Sequence, residues 1–299
     1  LVGLCAGILS GLACSVKWSG IYVLACLGLF VALREITCRW RAGHPSPIIG
    51  ALLADVWWAF ILMVPTAILT YIASWFGWFI HPRAYGHGRS GISGFGGALA
   101  DLWLYHRDMW KFHNGLETPH TYQSNPYTWL AQIRPTSFHW ANGEAVTGCP
   151  SGNCATNVVA LGNPILWWIG IGALMLVVWG TFYYRNWRAG VILTGYLALY
   201  VPWLGYAHRT IFTFYTVAFA PFVALAVAWM IGLLAGAVAP DGQPSILPMP
   251  RRTEITGRVM AVGLTLIILA CALWFLPLWR ADVVDYDFWR AHMWLPTWI

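Results

Sequence analysis

Charge is what this sequence has least of. Of its 299 residues 17 are Lys or Arg and 11 are Asp or Glu, a charged fraction of 9% against a hydrophobic fraction of 59%. A soluble globular domain carries about a quarter charged residues, so that class is excluded. The net charge of +6 does not point to nucleic acid either, because the basic residues sit in short loops beside apolar runs. No HExxH or comparable pair of metal ligands is present, which leaves a metal site without its usual signature. No two acidic residues are adjacent, so no ready-made pair for acid–base work is visible. The chain also lacks an initiating Met, a basic leader and a small-residue cleavage site at its start, LVGLCAGILSGLACS. It does not read as a signal peptide; it reads as the middle of a larger protein, opening within or just before a membrane helix.

What is present is apolar length. Trp occurs 21 times, a density that suits membrane–water interfaces, where an apolar ring carries a polar tip. With roughly 20 apolar residues needed per crossing, the sequence predicts seven spans, at about 1–15, 19–36, 52–79, 164–184, 190–207, 210–236 and 257–278. The fold class is an all-α polytopic membrane protein. Lys and Arg cluster in three short loops, as Arg34, Arg39 and Arg41, as Arg185 and Arg188, and as Arg251, Arg252 and Arg258. By the positive-inside rule these loops, 37–46, 185–189 and 240–256, are cytoplasmic. Lys17, the long segment 80–163, Arg209 and the tail 280–299 then lie on the opposite side.

The segment 80–163 is the one long polar excursion, and it holds six of the nine histidines: His81, His87, His106, His113, His120 and His139. A long loop among short ones is where a membrane protein usually keeps its chemistry. Its Gly-rich start, RAYGHGRSGISGFGG at 83–97, predicts irregular turns. Leu102, Tyr105, Met109 and Phe112 fall at helical spacing and predict an amphipathic helix over 101–114, with Trp103 and Trp110 suited to the membrane surface. Pro119, Pro126 and Pro135 keep the next segment extended or turning. Cys149 and Cys154, in CPSGNC, are close enough in sequence to form a disulfide in an oxidising compartment, with two free thiols as the alternative. A zinc site lacks a second pair of ligands.

Three cations stand out on the side where the positive-inside rule disfavours them: Lys17 in SVKWSG, Arg134 in QIRP, and Arg209 ahead of TIFTFY. They suit an anionic headgroup, Arg by a bidentate fork and Lys as a point charge; the plainer reading is lipid anchoring by snorkelling. His106 and His113 lie about 10 Å apart along a helix and cannot hold one ion unaided. A general base would come from Asp101, Asp108, Glu117, Glu144, Asp282, Asp285 or Asp287, yet their spacing singles out none of them.

Taken in order, GLACSVKWSGIY (11–22), HTYQSNPYTWLAQIRP (120–135), VVALGNPILWW (158–168) and RTIFTFY (209–215) resemble the protein O-mannosyltransferases, and the resemblance runs over nearly the whole chain. It implies a GT-C glycosyltransferase bundle, with central membrane helices at 1–79, an extracytoplasmic loop at 80–163 and a C-terminal four-helix membrane region at 164–299. It implies a polyprenyl-phosphate mannose donor, Ser/Thr hydroxyls of secreted or membrane proteins as acceptors, and inversion at the anomeric carbon. Lys17, Arg134 and Arg209 would then bind the donor phosphate, and His106, His113, His120, Tyr122 and Trp129 would contact donor or acceptor. No cofactor or divalent metal is strictly required, because the leaving group is already anionic. The resemblance also implies a multi-pass plasma-membrane protein with its active face extracytoplasmic, membrane lipids and the translocon as neighbours, and no nucleic acid. The sequence departs from eukaryotic members, whose β-trefoil MIR domains would precede ALGNP where CPSGNC stands, and so looks bacterial. The family's acidic pair falls ahead of residue 1, so residues 1–299 alone are expected to be inactive. Two other readings remain: a GT-C enzyme with a lipid or glycan acceptor, and a noncatalytic membrane subunit or transporter. Transport calls for ionisable or broken-helix features at mid-membrane, and the predicted spans carry almost no charge.

Overall fold

The computed structural model describes residues 1–149, 152–237 and 251–299, without the side chains of Glu144 and of Arg251, Arg252 and Thr253. The tip of CPSGNC, the side chain of the candidate acid Glu144 and most of the basic loop expected at 240–256 lie outside what is described. The chain divides into two compact units, Leu1–Thr118 and Pro119–Ile299.

In the first unit α1 (Val2–Val16) and α2 (Gly20–Arg41) form a hairpin. Next, α3 (Pro47–Ala51), a π-helical turn (Leu52–Val56) and α4 (Trp57–Ser74) run on as one apolar helix, Pro47–Ser74. α1 packs against α4 through small residues. A Cβ on Gly7 would stand 2.7 Å from the Met63 carbonyl oxygen, and one on Gly11 would stand 2.5 Å from that of Ala67. Without a hydrophobic drive between helices in lipid, such close backbone approach supplies the attraction. After the short α5 (Phe76–Ile80) and a run of turns comes α6 (Gly94–Asn114). This helix begins well before the expected 101. Gly97 lets the chain fold back onto Ile92, whose carbonyl oxygen would be only 1.9 Å from an added Cβ, so part of the Gly-rich stretch enters the helix.

The second unit combines a small sheet with a helical bundle. β1 (Thr136–Asn142) pairs antiparallel with β2 (Cys154–Ala160), and β2 with β3 (Val284–Asp285), in the order β1-β2-β3. The sheet adds to the helical reading without displacing it. Cys149 is bonded to Cys154 at the start of β2, with their Cα atoms 5.7 Å apart. Among the described residues five helices follow: α7 (Pro164–Phe182), α8 (Trp187–Leu199), α9 (Val201–Leu204), α10 (Ala220–Leu234) and α11 (Arg251–Trp279), before α12 (Tyr286–Ala291) in the tail. Trp167, Tyr196, Phe219, Val223 and Trp229 bury the contact of α7, α8 and α10 together with Trp129 from the loop. Phe275, Leu278, Trp289 and Trp298 close a second core between the end of α11, the sheet and the tail.

Among the described residues four helices are long and apolar enough to cross a membrane, Gly20–Arg41, Pro47–Ser74, Pro164–Phe182 and Glu254–Trp279, and Val2–Val16 and Ala220–Leu234 are shorter apolar helices. The protein is a multi-pass membrane protein of mainly helical architecture. Two expected spans are shorter than their hydropathy suggested. The helix expected at 190–207 stops at Leu199 and gives way to α9, with Pro202 in its first turn. The one expected from 210 starts only at Ala220, because Thr213 and Thr216 are buried in a 3-10 turn, Thr213–Ala218. Arg209 therefore stands in a turn and does not begin a helix.

Candidate functional site

In the first unit Lys17 ends α1 with extended backbone and is exposed. Its neighbour Trp18 is held by a directed chain. The Trp18 indole N–H donates to the Tyr71 hydroxyl at 2.9 Å, and Tyr71 Oη lies 2.5 Å from His106 Nε2. His106 Nδ1 faces the Leu102 carbonyl oxygen at 2.7 Å. A carbonyl only accepts, so His106 donates from Nδ1 and receives the Tyr71 proton at Nε2. The Trp18 ring also stacks on His106 with centroids 5.3 Å apart. Both nitrogens are thus engaged, and His106 fixes the hairpin that carries Lys17. His113 stands exposed near the end of α6.

The carboxylates of this unit are structural in their bonding. Asp101, only 2% exposed, accepts the backbone N–H of Gly88 at 2.7 Å and of Ser90 at 2.6 Å. The Ser90 N–H, more than any other group, holds its carboxyl below the usual range, with the Ser90 hydroxyl, the Gly88 N–H and nearby His87 acting in the same direction. Asp108 pairs with Arg89 at 2.6 Å, and this contact keeps its carboxyl low as well. Glu117 is exposed; in the second unit Asp282 lies 3.5 Å from Arg280. Among the described residues no three His, Cys, Asp or Glu side chains gather as metal ligands would.

The second unit begins with the segment that carries most of the predicted site. Both Asn-Pro motifs are helix starts. Asn125 Oδ1 accepts the Tyr127 N–H ahead of the 3-10 turn Pro126–Thr128, and Asn163 Oδ1 accepts the Leu166 N–H ahead of α7, each with Pro in the first turn. Asn supplies the missing acceptor and Pro gives up an N–H that would be orphaned anyway. Gly162 is needed beside the second, because an added Cβ would meet Trp167 Nε1 at 2.0 Å.

Arg134 and Arg209 are both fastened to the turn 120–124. Arg134 Nη2 donates to the Thr121 carbonyl oxygen at 3.2 Å, and its Nη1 donates to main-chain oxygens of Thr297 at 2.7 Å and Ile299 at 3.0 Å. The Tyr122 ring lies 5.2 Å from its guanidinium carbon. The Gln123 amide donates to the Arg209 carbonyl oxygen at 3.4 Å, and the Ser124 N–H donates to the Ile211 carbonyl oxygen at 2.9 Å. The Arg209 guanidinium lies 5.8 Å from the Tyr206 ring, and its Nε is buried with no acceptor among the described residues. His120 is exposed, accepts the Tyr122 N–H at Nδ1 at 3.1 Å, and meets Phe212 edge-on at 5.0 Å.

Trp129 differs from the other predicted contacts. It is fully buried, and its indole N–H donates to Ser124 Oγ at 2.9 Å. In this structure it is a packing residue, since no face of the ring is open to a ligand. Sequence reasoning passed over Gln132 and Thr213, the polar residues that hold the Arg134 backbone; only their closeness in the chain to Arg134 and Arg209 could have drawn notice.

Comparison with known proteins agrees with this architecture. Residues 98–298 match the family model described as the C-terminal four TMM region of protein-O-mannosyltransferase. A polyprenol-phosphate-mannose–protein mannosyltransferase of Mycolicibacterium smegmatis is 31% identical over 98% of this chain and 57% of its own length. One from Mycobacterium tuberculosis is 28% identical over 98% of this chain and 56% of its own length. The chain thus spans little more than half the length of these curated relatives. Among solved structures, the Saccharomyces cerevisiae protein O-mannosyltransferase Pmt1-Pmt2 complex bound to the sugar donor superposes with a TM-score of 0.51 at 19% identity, over 69% of this chain and 27% of that one. That likeness shows the GT-C membrane fold. With two thirds of its residues inside the family's C-terminal region and the Asn-Pro helix starts in place, the chain belongs to the protein O-mannosyltransferase family.

Proposed function

We propose that this chain supplies the donor-binding, membrane-embedded part of an enzyme that moves mannose from polyprenyl-phosphate mannose to Ser or Thr hydroxyls of exported polypeptides. One observation carries the reading. Arg134 and Arg209 are fixed to the same short turn, and Arg209 keeps a buried Nε–H that no described residue satisfies. A buried donor without an acceptor is costly, and a phosphate oxygen removes that cost.

In the reaction the acceptor hydroxyl oxygen bonds to the anomeric carbon while the bond from that carbon to the phosphate oxygen breaks, inverting the configuration. The hydroxyl proton passes to a carboxylate supplied by the rest of the full-length protein, and the lipid monophosphate leaves with the bonding pair. Arg134 and Arg209 balance the charge that grows on the phosphate, as preorganised cations do. The leaving group is anionic from the start, so the chemistry does not demand a divalent metal. His120 and Tyr122 flank the arginines as donor or acceptor contacts. In this reading residues 1–79 are core helices, 80–163 the reaction-side loop and 164–299 the C-terminal helices. The active face is extracytoplasmic at the plasma membrane, where polypeptides emerge from the translocon.

The test is mannosyl transfer by the full-length protein from polyprenyl-phosphate mannose to a Ser/Thr peptide. Arg134→Ala and Arg209→Ala should each lower transfer at least about tenfold, roughly 1.4 kcal/mol of transition-state stabilisation. Lys at either position should restore it only in part, since the fork is lost. Wild-type turnover in both Ala variants, with folding verified, overturns the phosphate assignment.

A further inference from the structure

The backbone that presents Arg134 is bent by a residue that rarely takes such a shape. Gln132 has φ +55°, in the left-handed region that non-glycine residues seldom occupy. It is also 1% exposed, and its polar groups are bonded to its own turn and to two distant segments. Its Oε1 accepts the Gly162 N–H at 3.0 Å, its Nε2 donates to the Trp129 carbonyl oxygen at 3.2 Å, and its own carbonyl oxygen accepts the Trp298 indole N–H at 2.8 Å. Strained conformations persist where the surroundings over-determine them, and they gather at functional sites.

A second device reaches Arg134 from the other side. Thr213 Oγ1 bonds the Arg134 carbonyl oxygen and also lies 2.9 Å from Ser124 Oγ. Thr213 has one hydroxyl proton and the carbonyl can only accept, so that proton goes to Arg134 and the Ser124 proton turns to Thr213. With the Trp129 N–H on Ser124, a one-way chain runs Trp129, Ser124, Thr213, Arg134. Thr213 and Ser124 are buried, so water does not compete for these bonds.

We infer that Gln132 and Thr213 are positioning residues that set the Arg134 guanidinium for an anionic phosphodiester ligand. The inference rests on the proposed role of Arg134 at the donor phosphate and names what aims it. Gln132 sets the direction of the turn two residues ahead of the arginine, and Thr213 holds the arginine's own peptide.

The experiment uses the full-length protein with polyprenyl-phosphate mannose and a Ser/Thr peptide. Gln132→Gly accepts the bend without strain but loses the hook to Gly162; Thr213→Val keeps the shape and loses the hydroxyl. Each should raise the donor KM or lower kcat/KM for donor by about tenfold, in keeping with the rate cost of a small misplacement, while the KM for peptide stays unchanged. Thr213→Ser should restore activity. In an Arg134→Ala background neither change should cost more, because residues that act through one group are not additive. An undiminished further loss in that background, or an unchanged donor KM in both single variants, overturns the inference while leaving the phosphate reading intact. Loss of folded protein in both variants, with Arg134→Ala folding normally, overturns it too, since the residues then serve the fold. Wild-type activity of Arg134→Ala removes the phosphate reading itself and the inference with it.

Discussion

Asp101 shows how a residue can look catalytic in a sequence and be structural in the fold. It is one of few acids in a long polar loop, which made it a candidate base. Yet its carboxylate closes the Gly88–Ser90 turn through two backbone N–H groups. Those bonds favour the charged form and pull the carboxyl below its ordinary value of 3.8. A group with a depressed folded pKa stabilises the fold above its unfolded pKa, and that contribution disappears as pH falls through the folded value. Asp101→Asn should therefore lower the thermal stability of the purified protein at pH 7, and the gap to wild type should shrink as pH drops below 3.8. Melting curves at both ends of that range test it; a gap that does not depend on pH removes the carboxylate's charge from the explanation. His106 teaches the same lesson, because a histidine in a loop suggested substrate contact and its two nitrogens are engaged by Tyr71 and Leu102.

Among elements, α1 and α4 pack closely in the first unit. Gly7 and Gly11 lie one helical turn apart on one face, and each leaves room for a carbonyl oxygen of the facing helix. Gly11→Leu should force the helices apart and cost about 1–3 kcal/mol, the usual penalty of overpacking. Leu12→Ala, at the next position and 48% exposed, should change little. Detergent-solubilised melting temperatures of the two variants provide the comparison, and equal stability would show that α1 does not rely on this contact. Helix presence was legible from hydropathy in this region, and helix ends less so. α10 begins late because Thr213 turns inward to bond Arg134, and no local pattern announces a partner so far away in sequence.

Over the whole molecule, apolar helices alternate with basic and with aromatic-rich loops, and this sets a topology that can be tested directly. Single cysteines placed in the loops at 37–46 and 185–189 should resist a membrane-impermeant thiol reagent applied from outside intact cells, and cysteines placed in 80–163 or 280–299 should react. The expectation follows from the Lys and Arg excess in the short loops, which favours their retention in the cytoplasm. Protection of the 80–163 loop from outside would reverse the orientation and move the proposed reaction to the other face.

The sequence by itself determined that this is a membrane protein, where its apolar helices fall, and which family it resembles, because composition and short motifs are local properties. It also marked Cys149, Cys154, Arg134 and Arg209 as residues of interest. Only the tertiary structure decided what most of these side chains touch. Trp129 is a core residue because Ser124 and the second unit's helices close over it. Arg134 is held by the tail through residues more than a hundred positions away in sequence. Gln132 occupies left-handed backbone because Gly162 and Trp298 bond its polar atoms. Hydrogen bonds between distant segments depend on the closed chain, and a local pattern of residue types carries no record of them.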